Sequence, residues 1–101
     1  MNINLPFKPK MRELILAGRK TCTSRTRSYG QAGDTFRLDE KEFIVTSIIQ
    51  EPLRVIAGYR HQREGFSNPD EFISYWKKLH PTKGYDPDQL VFVHFFREVL
   101  K

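Results

Sequence analysis

The chain has 101 residues and a mass of 11.9 kDa, a length for one domain spanning 1–101 rather than two. A single cysteine, Cys22, excludes an internal disulfide and any multi-cysteine zinc site. With 39% apolar and 13% aromatic residues the chain is too rich in core-forming side chains to stay disordered, and surface scaling has folding bury about 65% of the extended chain's surface. The formal net charge is +5, and it is unevenly placed: residues 1–33 carry seven cations and one acid, Glu13, while the remainder is nearly balanced. Such an excess fits either a patch that meets something anionic (nucleic acid, a nucleotide or a membrane surface) or a solvated face with no partner. The N-terminus has no apolar run of the length a leader or membrane span needs, so the expectation is a soluble, cytoplasmic protein without membrane contact.

In chain order, Asn2 to Pro9 reads as a strand or arm. Met11, Leu14 and Ile15 then follow helical spacing, predicting a helix from about Pro9 to Ala17 that Gly18 stops. Thr21 to Arg27, rich in β-branched and small polar residues, reads as a strand. Tyr29 to Asp34 has turn chemistry, Thr35 to Leu38 is a short strand, and Asp39 to Lys41 a turn. Glu42 to Gln50 is the clearest strand. Strict alternation puts Phe43, Val45 and Ile49 on one face and Ile44, Thr46 and Ile48 on the other, so both faces are expected to be covered. Pro52 ends it. Leu53 to Gln62 holds a short helix, and Glu64-Gly65-Phe66 a tight turn.

Asn68, Pro69 and Glu71 are an N-cap, an N1 proline and the third helical position of a capping box, opening a helix over Pro69 to Leu79 with Phe72, Ile73, Trp76 and Leu79 on its apolar face. His80-Pro81 stops it. After a loop, Gln89 to Glu98 is so apolar that it suits a central strand. The elements predict an α+β fold: a mixed or antiparallel barrel of about five strands flanked by two or three helices.

The most unusual segment is Gly18-Arg19-Lys20-Thr21-Cys22-Thr23-Ser24-Arg25-Thr26-Arg27, which packs four cations and five hydroxyls or thiols behind a glycine. Arg19, Lys20, Arg25 and Arg27 are candidate phosphate contacts, and the hydroxyls candidate donors; a polar strand with a basic outer face fits the same pattern. A catalytic reading also exists. A threonine hydroxyl such as Thr23 is a weak nucleophile unless a base takes its proton. Lys20 is a candidate base if the repulsion of Arg19, Arg25 and Arg27, or burial, disfavours its ammonium. Glu64, in a turn between apolar segments, is a candidate partner. One tension stands: strict alternation puts Lys20 and Thr23 on opposite faces of a strand, so they converge only if Lys20 precedes it. His61, His80 and His94 lack metal-ligand spacing, so no metal is expected. His94 reads as a satisfied core or pocket-edge residue, His80 as a helix C-terminal cation, and Trp76, Phe66 and Tyr85 as packing rather than base-stacking residues.

Gly18-Arg19-Lys20-Thr21-Cys22-Thr23-Ser24-Arg25 resembles the G-x-K-x-x-T-x-R signature of the ASCH domain, a branch of the PUA-like superfamily. Gly33-Asp34-Thr35-Phe36 resembles its G-D-x-F turn, Glu64-Gly65-Phe66 its E-G-F element, and Trp76 to His80 its W-x-x-x-H helix end. The resemblance runs over about residues 11–97. It implies a small PUA-like β-barrel with flanking helices, and a cleft lined by the Gly18–Arg25 segment and the Glu64 turn. It also implies RNA, or a modified nucleotide or nucleoside, as ligand, with no cofactor. Some family members of this size are amidohydrolases that deacetylate N4-acetylcytidine with a Lys, a Thr and a Glu, which match Lys20, Thr23 and Glu64; others are ribonucleases. RNA or nucleotide binding is the leading expectation, with the amidohydrolase second and a metal-free ribonuclease third.

Overall fold

The fold was read from a computed structural model, which describes residues 1–100. Four strands, β1 (Cys22–Arg25), β2 (Thr35–Leu38), β3 (Lys41–Pro52) and β4 (Leu90–Glu98), form one antiparallel sheet in the order β1-β4-β3-β2. Helix α1 (Pro9–Leu16) precedes β1. An α-turn (Leu53–Val55), a π-turn (Ile56–Arg60) and a second α-turn (His61–Glu64) run on without a break as α2 (53–64). Helix α3 (Pro69–Leu79) follows with the predicted bounds. Asn68 Oδ1 accepts from the Glu71 N–H at 2.9 Å, and the Glu71 carboxylate reaches back to the Ser67 N–H at 2.8 Å, one residue earlier than in a standard capping box.

Among the described residues four strands form, and the segment read as a strand or arm is an arm. The N-terminal arm makes only an isolated parallel bridge, Asn2 to Thr35, with the Ile3 N–H donating to the Thr35 carbonyl and the Thr35 N–H to that of Met1. β1 and β2 do not pair, so the sheet is a half-barrel rather than a closed ring. Proline at position 6 and the helix opening at Pro9 leave the arm too short for a longer ladder.

β4 is central, as its composition predicted, and its two faces serve two cores. Val91, Val93 and Phe95 meet Leu53, Ile56, Phe72 and Trp76 beneath α2 and α3. Phe96 meets Leu5, Ile15, Phe36, Phe43 and Val45 beneath the arm and α1. In β3 the alternation fails. The register with β4 shifts between Val45 and Ser47, so Thr46 is an extra residue and parity inverts beyond it. Ile48 therefore joins the face of Phe43 and Val45, and Ile49 is left exposed. Covering of both faces holds for the first half of β3 and not the second.

Candidate functional site

Two helix ends build the site. At the end of α1, Gly18 is left-handed (φ 78°), the Gly18 N–H donates to the Ile15 carbonyl and the Arg19 N–H to that of Leu14. At the end of α2, Gly65 is left-handed (φ 102°), the Gly65 N–H donates to the Gln62 carbonyl and the Phe66 N–H to that of His61. Both are Schellman stops. A Thr21 N–H bond to the Arg63 carbonyl (2.7 Å) ties the two ends together. Gly65 is required there twice over. Besides its φ, a Cβ at this position would sit 2.8 Å from Leu14 Cδ1.

These two ends deliver Lys20 and Glu64 to each other. Both are 3% exposed. Lys20 Nζ donates to Glu64 Oε1 and to the Glu64 main-chain carbonyl, each at 3.0 Å. The other carboxylate oxygen, Oε2, accepts from Ser24 Oγ at 2.7 Å and lies 3.8 Å from Cys22 Sγ. Burial, and then the Glu64 charge, push the Cys22 thiol far above its ordinary range, so it stays protonated.

Thr23 faces the other way along β1. Its register partner is His94, and its Oγ1 accepts from Arg25 Nε at 3.3 Å. The tension over Lys20 and Thr23 resolves because Lys20 precedes the strand and β1 is a sheet edge, so residues from both of its faces border one cleft. That cleft encloses about 510 Å³ between β1, the N-terminal arm and α3. Lys20, Thr23, Ser24 and Glu64 form its polar side, and Phe7, Tyr29, Tyr75, Trp76 and His80 its aromatic walls.

Arg25 is less a free cation than a clasp. Nη2 donates to the Pro6 carbonyl at 2.6 Å, and the guanidinium lies 5.0 Å from the Phe7 ring centre and 5.4 Å from that of Tyr29. Burial lowers its pKa from the ordinary value. The remaining cations of the segment are not gathered into the cleft. Arg19 is exposed and borders a separate groove with Asn68 and Glu71, and Arg27 is exposed over the Tyr29 ring at 4.6 Å. The arginine cluster expected around Lys20 is thus dispersed, and the charge in contact with its ammonium is an acid.

His94 is fully buried. Its Nε2 accepts from the Tyr29 N–H at 3.0 Å, which makes Nδ1 the protonated nitrogen, donating to the carbonyls of Thr23 (3.2 Å) and Phe92 (3.1 Å). Burial pushes its pKa down, so the ring is neutral, as a satisfied core residue should be. At the end of α3, His80 Nδ1 lies 3.0 Å from the Trp76 carbonyl, and the His80 ring stacks on the Trp76 indole at 4.2 Å. Trp76 is core, and Phe66 and Tyr85 pack against that core. Among the described residues there is no group of three or more His, Cys, Asp or Glu able to hold a metal, and no helix is long and apolar enough to cross a membrane. Ser24, one of several candidate hydroxyl donors in the sequence, could not be matched to Glu64 there, because a serine between Thr23 and Arg25 in a polar strand looks solvent-facing; only the alternation with Cys22 hinted at an inward side chain.

Neither a family model nor a curated protein matches the sequence. Solved structures do. The hypothetical protein PH0355 superposes with a TM-score of 0.74 at 15% identity, over 98% of this chain and 100% of that one. The ASCH protein of Zymomonas mobilis gives 0.65 at 11% identity, over 95% of this chain and 66% of that one. The ASCH domain of Lactobacillus crispatus JV V101 gives 0.61 at 14% identity, over 96% and 77%. The half-barrel with its three helices is therefore the fold of the ASCH domain.

Proposed function

We propose that this chain is an ASCH-family protein whose cleft takes a single nucleoside, and that it hydrolyses the exocyclic amide of an acylated cytosine nucleoside such as N4-acetylcytidine. The observation that carries the proposal is the buried Lys20–Glu64 pair, with Ser24 on its second carboxylate oxygen, set into a cleft of about 510 Å³ with aromatic walls. Those dimensions suit one ring system rather than an extended strand. The dispersal of Arg19 and Arg27 points the same way, and it moves the amidohydrolase ahead of simple RNA binding.

In the reaction, Thr23 Oγ1 adds to the acetyl carbonyl carbon and its proton passes to the Lys20–Glu64 pair. Thr23 Oγ1 and Lys20 Nζ are not hydrogen-bonded to each other, so substrate or water bridges them. Arg25 Nε, on Thr23 Oγ1, favours the developing alkoxide. The C–N bond then breaks as the pair returns the proton to the departing N4 amine, leaving cytidine and an acetyl ester on Thr23. Water hydrolyses the ester, releasing acetate and restoring the hydroxyl. Incubation with N4-acetylcytidine, followed by chromatography, should show cytidine and acetate in equal amounts, and Lys20→Ala should lose about 10²–10⁴-fold in kcat. Absence of turnover, or an unchanged Lys20→Ala rate, refutes the mechanism.

A second reading, binding of RNA through one splayed base, is favoured by Tyr29, which lines the cleft and carries the Arg27 guanidinium over its ring. Phosphates on Arg27 and Arg19 would make affinity fall with salt, at about −0.7 in log K per log salt for each contact. Arg27→Ala should flatten that slope, whereas a salt-independent affinity for short RNAs discards the reading. A metal-free ribonuclease would cut labelled RNA in the presence of chelator.

A further inference from the structure

The two edges of β1 are used differently. On one side the strand pairs with β4, and the Phe96 N–H donates to the Thr21 carbonyl at 3.1 Å. That bond fixes the parity of the ladder. The Thr21 carbonyl accepts from β4 while its N–H goes to Arg63; by the same parity Thr23 and Arg25 face β4 with their main-chain N–H and C=O, and those of Ser24 point away from it. Four consecutive residues, Thr23 to Thr26, border the cleft, so what faces the cleft is the strand edge itself. Ser24 is 8% exposed, and among the described residues nothing hydrogen-bonds to its main-chain N–H or C=O on that side. A donor and an acceptor side by side on a strand edge, engaged by no other part of the fold, are free to pair with a ligand in the cleft.

We propose that the Ser24 main chain reads the ligand: its N–H and C=O form a paired donor–acceptor edge for a planar heterocycle that presents an adjacent acceptor and donor. The inference rests on the nucleoside reading of the cleft and specifies how the base is held. A cytosine ring meets the requirement, with N3 accepting from the Ser24 N–H and the exocyclic N4–H donating to the Ser24 carbonyl. The Ser24 side chain is already committed to Glu64. The same residue therefore joins the base edge, through its main chain, to the acid of the proposed reaction, through its hydroxyl, and places the N4 substituent near the Lys20–Glu64 pair. Selectivity then comes from the order of donor and acceptor on the ring, since stacking on aromatic walls alone tolerates any base.

The test is a ¹⁵N–¹H titration of the full chain with cytidine and with N4,N4-dimethylcytidine, which keeps the ring and N3 but has no N4–H. Cytidine should move the Ser24 amide downfield together with the Trp76 indole and His80 signals, and the dimethyl compound should bind at least tenfold more weakly. Ser24→Pro, placed on a free edge where proline is tolerated, should lose cytidine affinity. Because Ser24→Pro is open to misfolding, the ligand pair decides without it. If wall signals shift while the Ser24 amide stays put, or if both nucleosides bind equally, the edge assignment is wrong and the nucleoside reading survives. If no nucleoside moves any cleft signal, both fall.

Discussion

Helix α2 carries two ion pairs of opposite character. Near its middle, Arg60 grips Glu51 of β3 at a partly exposed position, through Nε on one carboxylate oxygen and Nη2 on the other at 2.8 Å. At its C-terminal end, Glu64 holds Lys20 with both side chains almost fully buried. The first pair keeps access to water, and its role is to fasten the helix to the sheet. The second removes two charges from water, a cost that apolar residues of the same volume would avoid. A chain that needed only a fastening would do better with an apolar contact there. The buried pair therefore marks the place where the fold sacrifices stability, and that place is the polar side of the cleft.

The largest effect expected follows from that contrast. Removing one partner alone, as in Lys20→Ala or Glu64→Ala, strands a buried charge and should cost about 3–5 kcal/mol in urea unfolding. Replacing both by apolar residues, Lys20→Met with Glu64→Leu, should regain most of that loss while leaving no turnover of N4-acetylcytidine. If the double replacement is as unstable as either single one, the pair is structural and the contrast collapses.

Next in size is the glycine that ends α2. Gly65→Ala meets both an unfavourable φ and Leu14 Cδ1 at 2.8 Å, and should cost about 1–3 kcal/mol. The damage should reach the Lys20–Glu64 pair, since the same Cβ would lie 3.5 Å from Lys20 Cβ. Reduced kcat with stability barely changed would show that the turn has slack. Ser24→Ala should cost about 1–2 kcal/mol, because it withdraws a donor from a buried carboxylate oxygen, and Ser24→Thr should recover part of the loss in kcat.

His94 supplies a pH signature. Its folded-state pKa lies below the unfolded value of about 6.5. Above that pH both states hold a neutral ring. Below it the unfolded chain takes up a proton that the folded chain refuses, so stability falls as the pH drops from about 6.5 toward the folded-state value. His94→Gln should flatten this decline between pH 7.5 and pH 5 in urea unfolding, whatever it does to stability at pH 7.5. An unchanged slope would mean that another group sets it.

How much of this was legible depends on which interaction dominates locally. The bounds of α3 were readable because Asn68, Pro69 and Glu71 act within one turn of each other, and the central position of β4 because apolar residues on both faces leave few alternatives. The bulge at Thr46 was not, because one extra residue in a ladder leaves no compositional trace and inverts everything after it. The helix expected within Leu53 to Gln62 does form, starting at Leu53; a π-turn, which left no mark in the sequence, carries it past Gly58 and two residues further, to Glu64. At the site, the types of Lys20, Thr23 and Glu64 were readable, and their meeting was not. The Lys20–Glu64 contact spans 44 positions and depends on two helix ends being stopped by glycines at matching places. The charge count could not place its cations. Of the seven in the first third, Lys8, Lys20 and Arg25 border the cleft, Arg25 turned inward on Phe7 and Pro6, while Arg19 and Arg27 lie apart.

The smallest effect belongs to the outer ion pair, and it sharpens the comparison that the buried pair opens. Arg60 lies over the Phe95 ring at 5.0 Å as well as on Glu51, so its removal loses packing and a pair together. Water still reaches both charges, so each can be solvated when its partner is gone. Arg60→Ala should therefore cost only about 1 kcal/mol in urea unfolding, several-fold less than Lys20→Ala. It should leave kcat for N4-acetylcytidine unchanged, because Arg60 lies outside the cleft lining. Adding Glu51→Ala to it should cost little more, since the carboxylate left behind in the single variant is not buried without water. A loss as large as that of Lys20→Ala would mean that the register of α2 on the sheet depends on Arg60. The position of Glu64, two turns of helix beyond Ile56 and Ala57 where α2 enters the core, would then be set by this outer contact rather than by Gly65 and Lys20.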